Sequence, residues 1–560
     1  MHEVGLNRFG FAHAIVRSTL LDRTSASRQA LTHRRVAEAI ESLGRPDHDE
    51  LAYHWALAGV PDKANAAVER AAQRDLEALA YESAAERFRA SIDFHLAHPS
   101  DDLRPLAGAW LGLGLARRAM VEADCIDAIE EAGRLGRRMG DVDLVADAAV
   151  ASSWPGTYFV PAGETQTSLV ELCEDALTLL EPTDPRRAMV LSAMAAHLTY
   201  DDDRGRRVRL LQEADDIARA VGDPALIGGV LVAEHRALWD PTTFERRAEI
   251  TREVGRMARA SGEGDLQFFS GFLAGYGAAE RGDVAEARRR LEGLEDTVRA
   301  SQNMYFAFMV ERLLVSLDLL VGRPDVQTSI DALAARFADA QADTEGTWSV
   351  QTGVLAFHRG NLGDLAPALG RMLHESMIAS RWLPPCGMAL LGAGDREGAT
   401  GVLERLEQLE PPPLDYFWLT HVQGWAELAS ALERADVAAR LYEMLLPHRR
   451  LLGIAASGSV CLGLVSVSLG QLAVTVGDHQ SAIALLEEGM AQAGAMGAVF
   501  EAVKGRRLLA TSLLAVGGRA EDVAAMLELA AEAAEGHGFE DERGRIEALR
   551  EHLATSGTPI

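Results

Sequence analysis

The chain has 560 residues, more than a single hydrophobic core usually serves, so its length predicts several domains or an extended array of repeats. With 48% hydrophobic and 25% charged residues, its composition is typical of a folded soluble protein. The formal net charge of −28 repels phosphate backbones, which disfavours direct nucleic-acid binding by the chain as a whole.

The first 45 residues are expected to be helical. Met1 to Gly10 is polar and has no long apolar run behind it, so no secretory signal is predicted. The apolar face of a first helix is formed by Phe9, Phe11, Ile15, Val16 and Leu20. The apolar face of a second helix is formed by Val36, Ile40 and Leu43. Two short helices cannot form a useful core alone, so we expect this segment to dock on later repeats, pair with another chain or stay partly exposed.

From residue 46 onwards the sequence repeats one pattern, in which an amphipathic helix ends at a glycine-containing turn and a second amphipathic helix begins. The turns assigned as structural are Gly282-Asp283, Gly360-Asn361, Gly394-Asp395 and Gly477-Asp478, with looser variants at Ala435-Asp436 and Gly518-Arg519. Glycine tolerates the left-handed backbone of a helix end, and Asp or Asn caps the next helix. After Gly360 the steps are about 34 to 42 residues, the length of a helix-pair repeat. One degenerate repeat is expected between Gly282 and Gly360.

Helical spacing flanks these turns, and no convincing strand alternation is found. Because a single helix pair cannot bury its apolar faces and stacked pairs can, the predicted fold is all-α, a tetratricopeptide-like α-solenoid of antiparallel helix pairs. Breaks at 154–164 and at Glu410-Pro411-Pro412-Pro413 divide the array. The predicted domains are a helical remnant of a winged-helix-like junction (1–45), N-terminal helical repeats (46–165), and middle (166–410) and C-terminal (411–560) tetratricopeptide-like repeats.

The stretch from Leu451 to Gly477 carries no charged residue and is long enough to span a bilayer. Its many glycine, serine and threonine residues, and the amphipathic helices on either side, favour a loop followed by a buried solenoid helix. The four cysteines stand far apart with no C-x-x-C, which predicts neither a disulfide framework nor a zinc site and favours the cytoplasm.

Several residue groups have the composition of chemical sites, but none has the spacing or partners that such a site requires. Asp201-Asp202-Asp203 is expected to be a solvated loop and helix cap, and His95 and His98 mark a helix end before Pro99. Ser457, Ser459 and Cys461 lack a nucleophile elbow, and Cys386 lacks a basic neighbour. The sequence therefore predicts no catalytic residue, no metal and no cofactor, and we expect the protein not to be an enzyme.

Aromatic side chains are the remaining candidates for recognition, because they often dominate binding surfaces. The candidates are Trp154 and Tyr158 in the proline-rich break, and Trp239 and Trp348 in later repeats. Aromatic residues are also common in protein cores, and for each of these four we favour packing in the core over a role in binding.

Some segments resemble a known family. These are FGFAHAIVR at 9–17, LTHRRVAEAI at 31–40, LAYHW at 51–55, AYESA at 80–84, GDPAL at 222–226 and LWDP at 238–241. They are similar to the repeat region that follows the ATPase module in bacterial signal-transduction ATPase regulators, including large LuxR-type activators and ATPase–cyclase fusions. The resemblance implies that this region receives a signal and relays it. Neither the G-x-x-x-x-G-K-[ST] phosphate loop nor a basic recognition helix at the end of the chain occurs here, so no ATP binding is expected.

The function predicted from the sequence is a non-catalytic protein-interaction or signal-sensing repeat module of a bacterial transcriptional regulator. Its expected partner is a protein or peptide, such as an ATPase encoded nearby, or a small-molecule inducer, with no nucleic acid and no membrane. One alternative is a regulator that contacts DNA through Arg17, Arg23, Arg28, Arg34 and Arg35. The other is an enzyme of unknown type on a helical scaffold.

Overall fold

The computed structural model describes residues 2–5, 8–10, 23–43, 46–122, 124–153, 165–199, 201, 203–338, 343–375, 379–409, 412 and 414–556. Most of these residues are helical, and consecutive helices pack antiparallel. The chain divides into two units, Met1–Ala151 and Ser152–Ile560. The predicted fold class, an all-α tetratricopeptide-like solenoid of antiparallel helix pairs, is confirmed.

In the first unit a short antiparallel β-hairpin precedes a run of helices. Its strands are β1 (His2–Gly5) and β2 (Arg8–Gly10). The helices are α1 (Ala26–Glu41), α2 (His48–Leu57), α3 (Pro61–Glu77), α4 (Tyr81–Ala97), α5 (Arg104–Met120), α6 (Cys125–Met139) and α7 (Val142–Ala151). Small residues let these helices approach closely: a Cβ added to Gly112 would lie 2.3 Å from the ring of Phe88.

The start of the first unit differs from the expected pair of helices. Residues 2–5 and 8–10 form a hairpin instead of the start of a helix, and most of the expected first helix lies outside the described residues. Helix α1 docks on the first repeat, where Ile40 packs with Leu51 and Trp55 and the Trp55 indole donates to Glu41 Oε1 at 3.0 Å. The apolar face predicted for this helix is only partly buried, because Val36 and Leu43 are exposed.

The second unit continues the helix pairs. Its helices are α8 (Thr167–Leu179), α9 (Arg186–His197), α10 (Arg204–Val221), α11 (Pro224–Ala237), α12 (Phe244–Ser261), α13 (Gly264–Glu280), α14 (Val284–Glu292), α15 (Glu295–Ser301), α16 (Met304–Leu320), α17 (Val326–Arg336), α18 (Asp343–Arg359), α19 (Ala366–Glu375), α20 (Ala379–Gly392), α21 (Arg396–Gln408), α22 (Trp418–Ala431), α23 (Ala435–Leu445), α24 (Val465–Val476), α25 (His479–Met496), α26 (Val499–Ala515), α27 (Ala520–His537) and α28 (Glu540–Ser556).

Glycine and aspartate form the turns within several pairs. Gly282, Gly394 and Gly477 have φ values of +79°, +84° and +88°, the left-handed conformation that side chains disfavour. The following aspartates cap the next helix: the carboxylates of Asp283, Asp395 and Asp478 accept hydrogen bonds from backbone N–H groups at 3.0, 2.8 and 3.1 Å.

Two turns depart from this scheme. Gly360 has a φ of +79°, but the side chain of Asn361 makes no capping hydrogen bond and a short 3₁₀ turn precedes α19. Between α22 and α23 the left-handed residue is Glu433, with a φ of +60°, rather than Ala435. The repeat expected between Gly282 and Gly360 is the pair α16–α17, which turns at Gly322.

A second antiparallel β-hairpin lies between α23 and α24 and corrects the expected loop. Its strands are β3 (Leu452–Ala455) and β4 (Val460–Leu464), and α24 follows it as the predicted buried helix. The strands escape detection because β3 is buried on both faces, so its sequence does not alternate between polar and apolar residues. Within the described residues, no helix has the length and apolar character that a membrane span requires.

Candidate binding cavity

The hairpin of β3 and β4, here called the inserted hairpin, lies across helices of four different pairs in the second unit. Strand β3 contacts α13 and α22, and strand β4 contacts α16 and α18. Each of these is the first helix of its pair, so the inserted hairpin covers a face that the stacked pairs build together.

Side chains from these helices hold the backbone at the hairpin tip. The Tyr276 hydroxyl donates to the carbonyl of Ala456 at 3.1 Å, and Arg312 Nη2 donates to the carbonyl of Ser457 at 3.2 Å. Ser316 Oγ lies 2.8 Å from the carbonyl oxygen of Gly458. Buried carbonyl groups need such partners, so these contacts fix the position of the tip.

The tip fits tightly against α16. Gly458 has a φ of +97°, and a Cβ built on it would lie 2.8 Å from Cβ of Leu313. Both the backbone conformation and the lack of space therefore favour glycine at this position.

Buried polar residues hold the base of the inserted hairpin. Gln423 Nε2 donates to the carbonyl of Gly463 at 3.1 Å, and the N–H of Leu464 donates to Glu501 Oε2 at 3.0 Å. Burial raises the pKa of Glu501 to about 7, although the charge of Lys504 and the hydrogen bond from Leu464 act in the opposite direction. Lys504 itself forms a buried ion pair with Glu427.

An apolar cavity of about 170 Å³ lies between the inserted hairpin and helices α18, α19, α20 and α22. Its volume is similar to the ~150 Å³ of an apolar protein cavity that binds benzene. Its apolar lining is supplied by Val350, Val354, Phe357, Leu362, Leu369, Trp382, Pro384, Pro385, Met388, Phe417, Ala455, Val460 and Leu462. The last three belong to the inserted hairpin, which therefore forms one wall.

Few polar side chains line the cavity, and two of them are incompletely paired. Arg381 forms an ion pair with Asp415, and burial raises the pKa of Asp415 despite this charge. Burial, assisted by Arg381, lowers the pKa of His421 to about 3, so its imidazole is neutral near pH ~7. Among the described residues, neither Nη1 of Arg381 nor Nδ1 of His421 has a hydrogen-bond partner.

The cysteines considered from the sequence as nucleophiles, Cys386 and Cys461, do not line this cavity. Cys386 and Cys461 are buried, and burial raises the pKa of both thiols, that of Cys461 to about 12. A protonated thiol is a poor nucleophile. In the part of the chain that the structure describes, no three His, Cys, Asp or Glu side chains cluster in a way that could hold a metal ion.

The aromatic residues singled out from the sequence do not meet at this cavity. Trp239 is buried and packs edge-on against Tyr276, with ring centroids 4.7 Å apart. Trp348 is exposed and donates to Asp331 Oδ1 at 3.0 Å. Trp154 and Tyr158 lie outside the described residues.

The other groups weighed as sites serve local structure. Asp203 caps α10 by accepting from the N–H of Arg206 at 2.9 Å, whereas Asp202 lies outside the described residues. His95 contacts Glu69 Oε1 at 2.7 Å, and His98 contacts the carbonyl of Phe94 at 3.0 Å, so the two rings have different partners.

The arginines of the DNA-contact alternative lie around α1. Arg23, Arg28, Arg34 and Arg35 are exposed, and Arg34 forms an ion pair with Glu38, while Arg17 lies outside the described residues. Their exposure alone does not distinguish a DNA contact from a solvated helix face.

The cavity could not be predicted from the sequence because its lining comes from separate segments spread over about a hundred residues. Phe357, Arg381, His421 and Leu462 have no shared spacing that would mark them as neighbours. Two local signals were present: the Pro384-Pro385 pair inside α20, and the uncharged segment that forms the inserted hairpin.

Comparisons with known proteins identify no family. No protein-family model and no curated protein matches the chain. Among solved structures, the APC/C hetero-tetramer Cut9–Hcn1 is 13% identical over 93% of this chain and 89% of that chain, with a TM-score of 0.41. Yeast Tom70 is 10% identical over 95% and 97%, with a TM-score of 0.20. A circular tandem repeat protein is 15% identical over 94% and 96%, with a TM-score of 0.14. Likenesses this weak carry no argument about partners or function.

Proposed function

We propose that this chain is a non-catalytic binding and sensing module whose cavity takes a small, mostly apolar molecule. One observation carries the proposal: an apolar cavity of about 170 Å³ lies between four helices and the inserted hairpin. A formed apolar cavity with a few polar groups is typical of a small-molecule site.

The position of the inserted hairpin suggests how occupancy would be sensed. Ala455, Val460 and Leu462 form the hairpin's wall of the cavity, so a bound molecule would lie between the hairpin and the four surrounding helices. A ligand that contacts the docked hairpin and loses those contacts when the hairpin moves will favour the docked state. Binding would then alter the surface that a partner meets.

The wider role rests on the family resemblance of the sequence. In the regulators that this chain resembles, the repeats receive a signal and relay it to an ATPase. We therefore propose a protein partner, such as an ATPase encoded nearby, that responds to the state of the inserted hairpin. This extension rests on the quoted motifs, whereas the ligand site rests on the cavity.

Calorimetric titration with toluene and benzyl alcohol tests the ligand site. Both probes have one aromatic ring, and benzyl alcohol adds a hydroxyl that Arg381 or His421 could engage. Gly353 lines the cavity, and a Cβ built on it meets no atom within 4 Å, so Gly353→Leu should fill the space. Gly401→Leu is the matched control, because Gly401 is a helical glycine that is equally unobstructed and lies outside the cavity.

We expect at least one probe to bind saturably to the unmodified protein and to Gly401→Leu, and about tenfold more weakly or not at all to Gly353→Leu. Tighter binding of benzyl alcohol than of toluene would assign a role to the polar groups. Absence of saturable binding by both probes, or equal binding by both variants, would rule out the cavity as the site.

A further inference from the structure

A second cavity, of about 220 Å³, lies in another part of the second unit, between α11, α12, α13 and α14. It shares no lining residue with the apolar cavity. Charged side chains form much of its wall: Arg247, Arg252, Arg281, Arg290, Glu280 and Glu286.

The charges in this wall do not balance. Glu280 is bound by both terminal nitrogens of Arg247, at 2.8 and 2.7 Å. Glu286 is shared between Arg290, at 2.7 Å, and Arg289. Arg252 and Arg281 have no carboxylate partner among the described residues. Four arginines therefore face two carboxylates in a chain whose net charge is −28.

Two buried polar atoms behind this wall lack hydrogen-bond partners within the described residues. Arg247 and His235 are each only 2% exposed, and within the described structure Arg247 Nε and His235 Nδ1 lack hydrogen-bond partners. The guanidinium groups of Arg247 and Arg281 lie 5.8 and 5.9 Å from the ring of Phe244. Electrostatic attraction to an anion is stronger beside such a buried wall than in open water.

We infer that this cavity binds the carboxylate or phosphate group of a small organic anion. Arginine forms paired, charge-assisted hydrogen bonds with both groups, and Arg252 and Arg281 are available to form them. The volume leaves room for more than the anionic group, and Phe244, Leu273 and Ala274 offer apolar contacts to the rest of the molecule. This site is independent of the apolar ligand proposed above.

Titration with inorganic phosphate and with succinate at low ionic strength tests the inference and separates the two anionic groups. Arg252→Gln/Arg281→Gln removes the two arginines that lack carboxylate partners. Arg256→Gln/Arg259→Gln removes two exposed arginines of α12 that do not line the cavity, so it changes the net charge equally. We expect saturable binding of at least one anion, weakened by about tenfold or more in the first double variant and by less than about twofold in the second.

A third variant tests the cavity without changing charge. A Cβ built on Gly277 has only Arg281 Nη1 within 4 Å, at 3.9 Å, so Gly277→Leu should occupy the space and abolish binding. Melting temperatures show whether each variant stays folded. If Gly277→Leu does not fold, the comparison of the two double variants of arginine still tests the inference. No saturable binding of either anion, or equal weakening by both double variants, would overturn the inference.

Discussion

At the scale of single residues, small side chains determine how closely paired helices approach. Ala285 and Ala482 each follow one of the structural turns, so the sequence predicts that both lie where paired helices are closest. Ala482 is fully buried, as expected, but Ala285 is exposed and Ala287 is the buried alanine of α14. The register error arises because alanine is common on both faces of these helices, so it does not mark the buried one.

Ala482→Trp should lower the free energy of unfolding by ~1–3 kcal/mol or more, because the larger side chain has no space between the helices. Ala285→Trp is the matched control and should change it by less than about 0.5 kcal/mol. Urea denaturation measures both values. Equal destabilisation by the two substitutions would contradict this assignment of buried and exposed faces.

Glu501 links the docking of the inserted hairpin to pH. Its pKa is raised from 4.5 to about 7 in the folded protein, so folding favours the protonated form. The stability that this preference contributes is fully present below pH 4.5 and is lost as the pH rises through about 7.

Glu501→Gln should remove this dependence, because its side chain stays neutral. The free energy of unfolding of the variant, relative to that of the unmodified protein, should therefore rise between about pH 5 and pH 8, by up to ~3 kcal/mol. Chemical denaturation at several pH values gives the difference. Stability profiles that run parallel over this range would show that the carboxyl group does not titrate there.

At the scale of elements, the inserted hairpin depends on its glycine tip. Gly458→Ala should lower the free energy of unfolding by ~1–3 kcal/mol, because the left-handed φ and the close approach to Leu313 both disfavour a Cβ. Gly494→Ala, in an open position within α25, should be neutral or stabilising by up to ~1 kcal/mol. Thermal or urea unfolding distinguishes the two. A neutral Gly458→Ala would mean that the tip is not docked as described.

The sequence predicts the helices better than the inserted hairpin, for a physical reason. Leu266, Phe269, Leu273 and Tyr276 recur at helical spacing over the 17 residues of α13, a length that indicates a helix although α13 is buried on most sides. Strand β3 is buried on both faces, so its composition resembles a buried helix or loop. The two cavities depend on contacts between distant elements, which no local pattern encodes.

At the scale of the whole molecule, the chain divides into two units, and the second unit contains contacts between helices that are far apart in the sequence. The two units divide at 151/152. Within the second unit, the His358 ring at the end of α18 stacks on Phe500 of α26, with ring centroids 3.9 Å apart. This contact joins a helix before the proline run at 411–413 to a helix after it. The predicted domain boundaries at 165 and 410 stay predictions.

The central claim is that a small apolar ligand binds beside the inserted hairpin and is sensed by it. The most direct measurement is amide hydrogen exchange with and without a saturating concentration of whichever probe, toluene or benzyl alcohol, binds in calorimetry. We predict slower exchange in β3 and β4 of the liganded protein, no change in α5 of the first unit, and no effect in Gly353→Leu. Binding of the probe without any change in hairpin exchange would contradict the sensing mechanism.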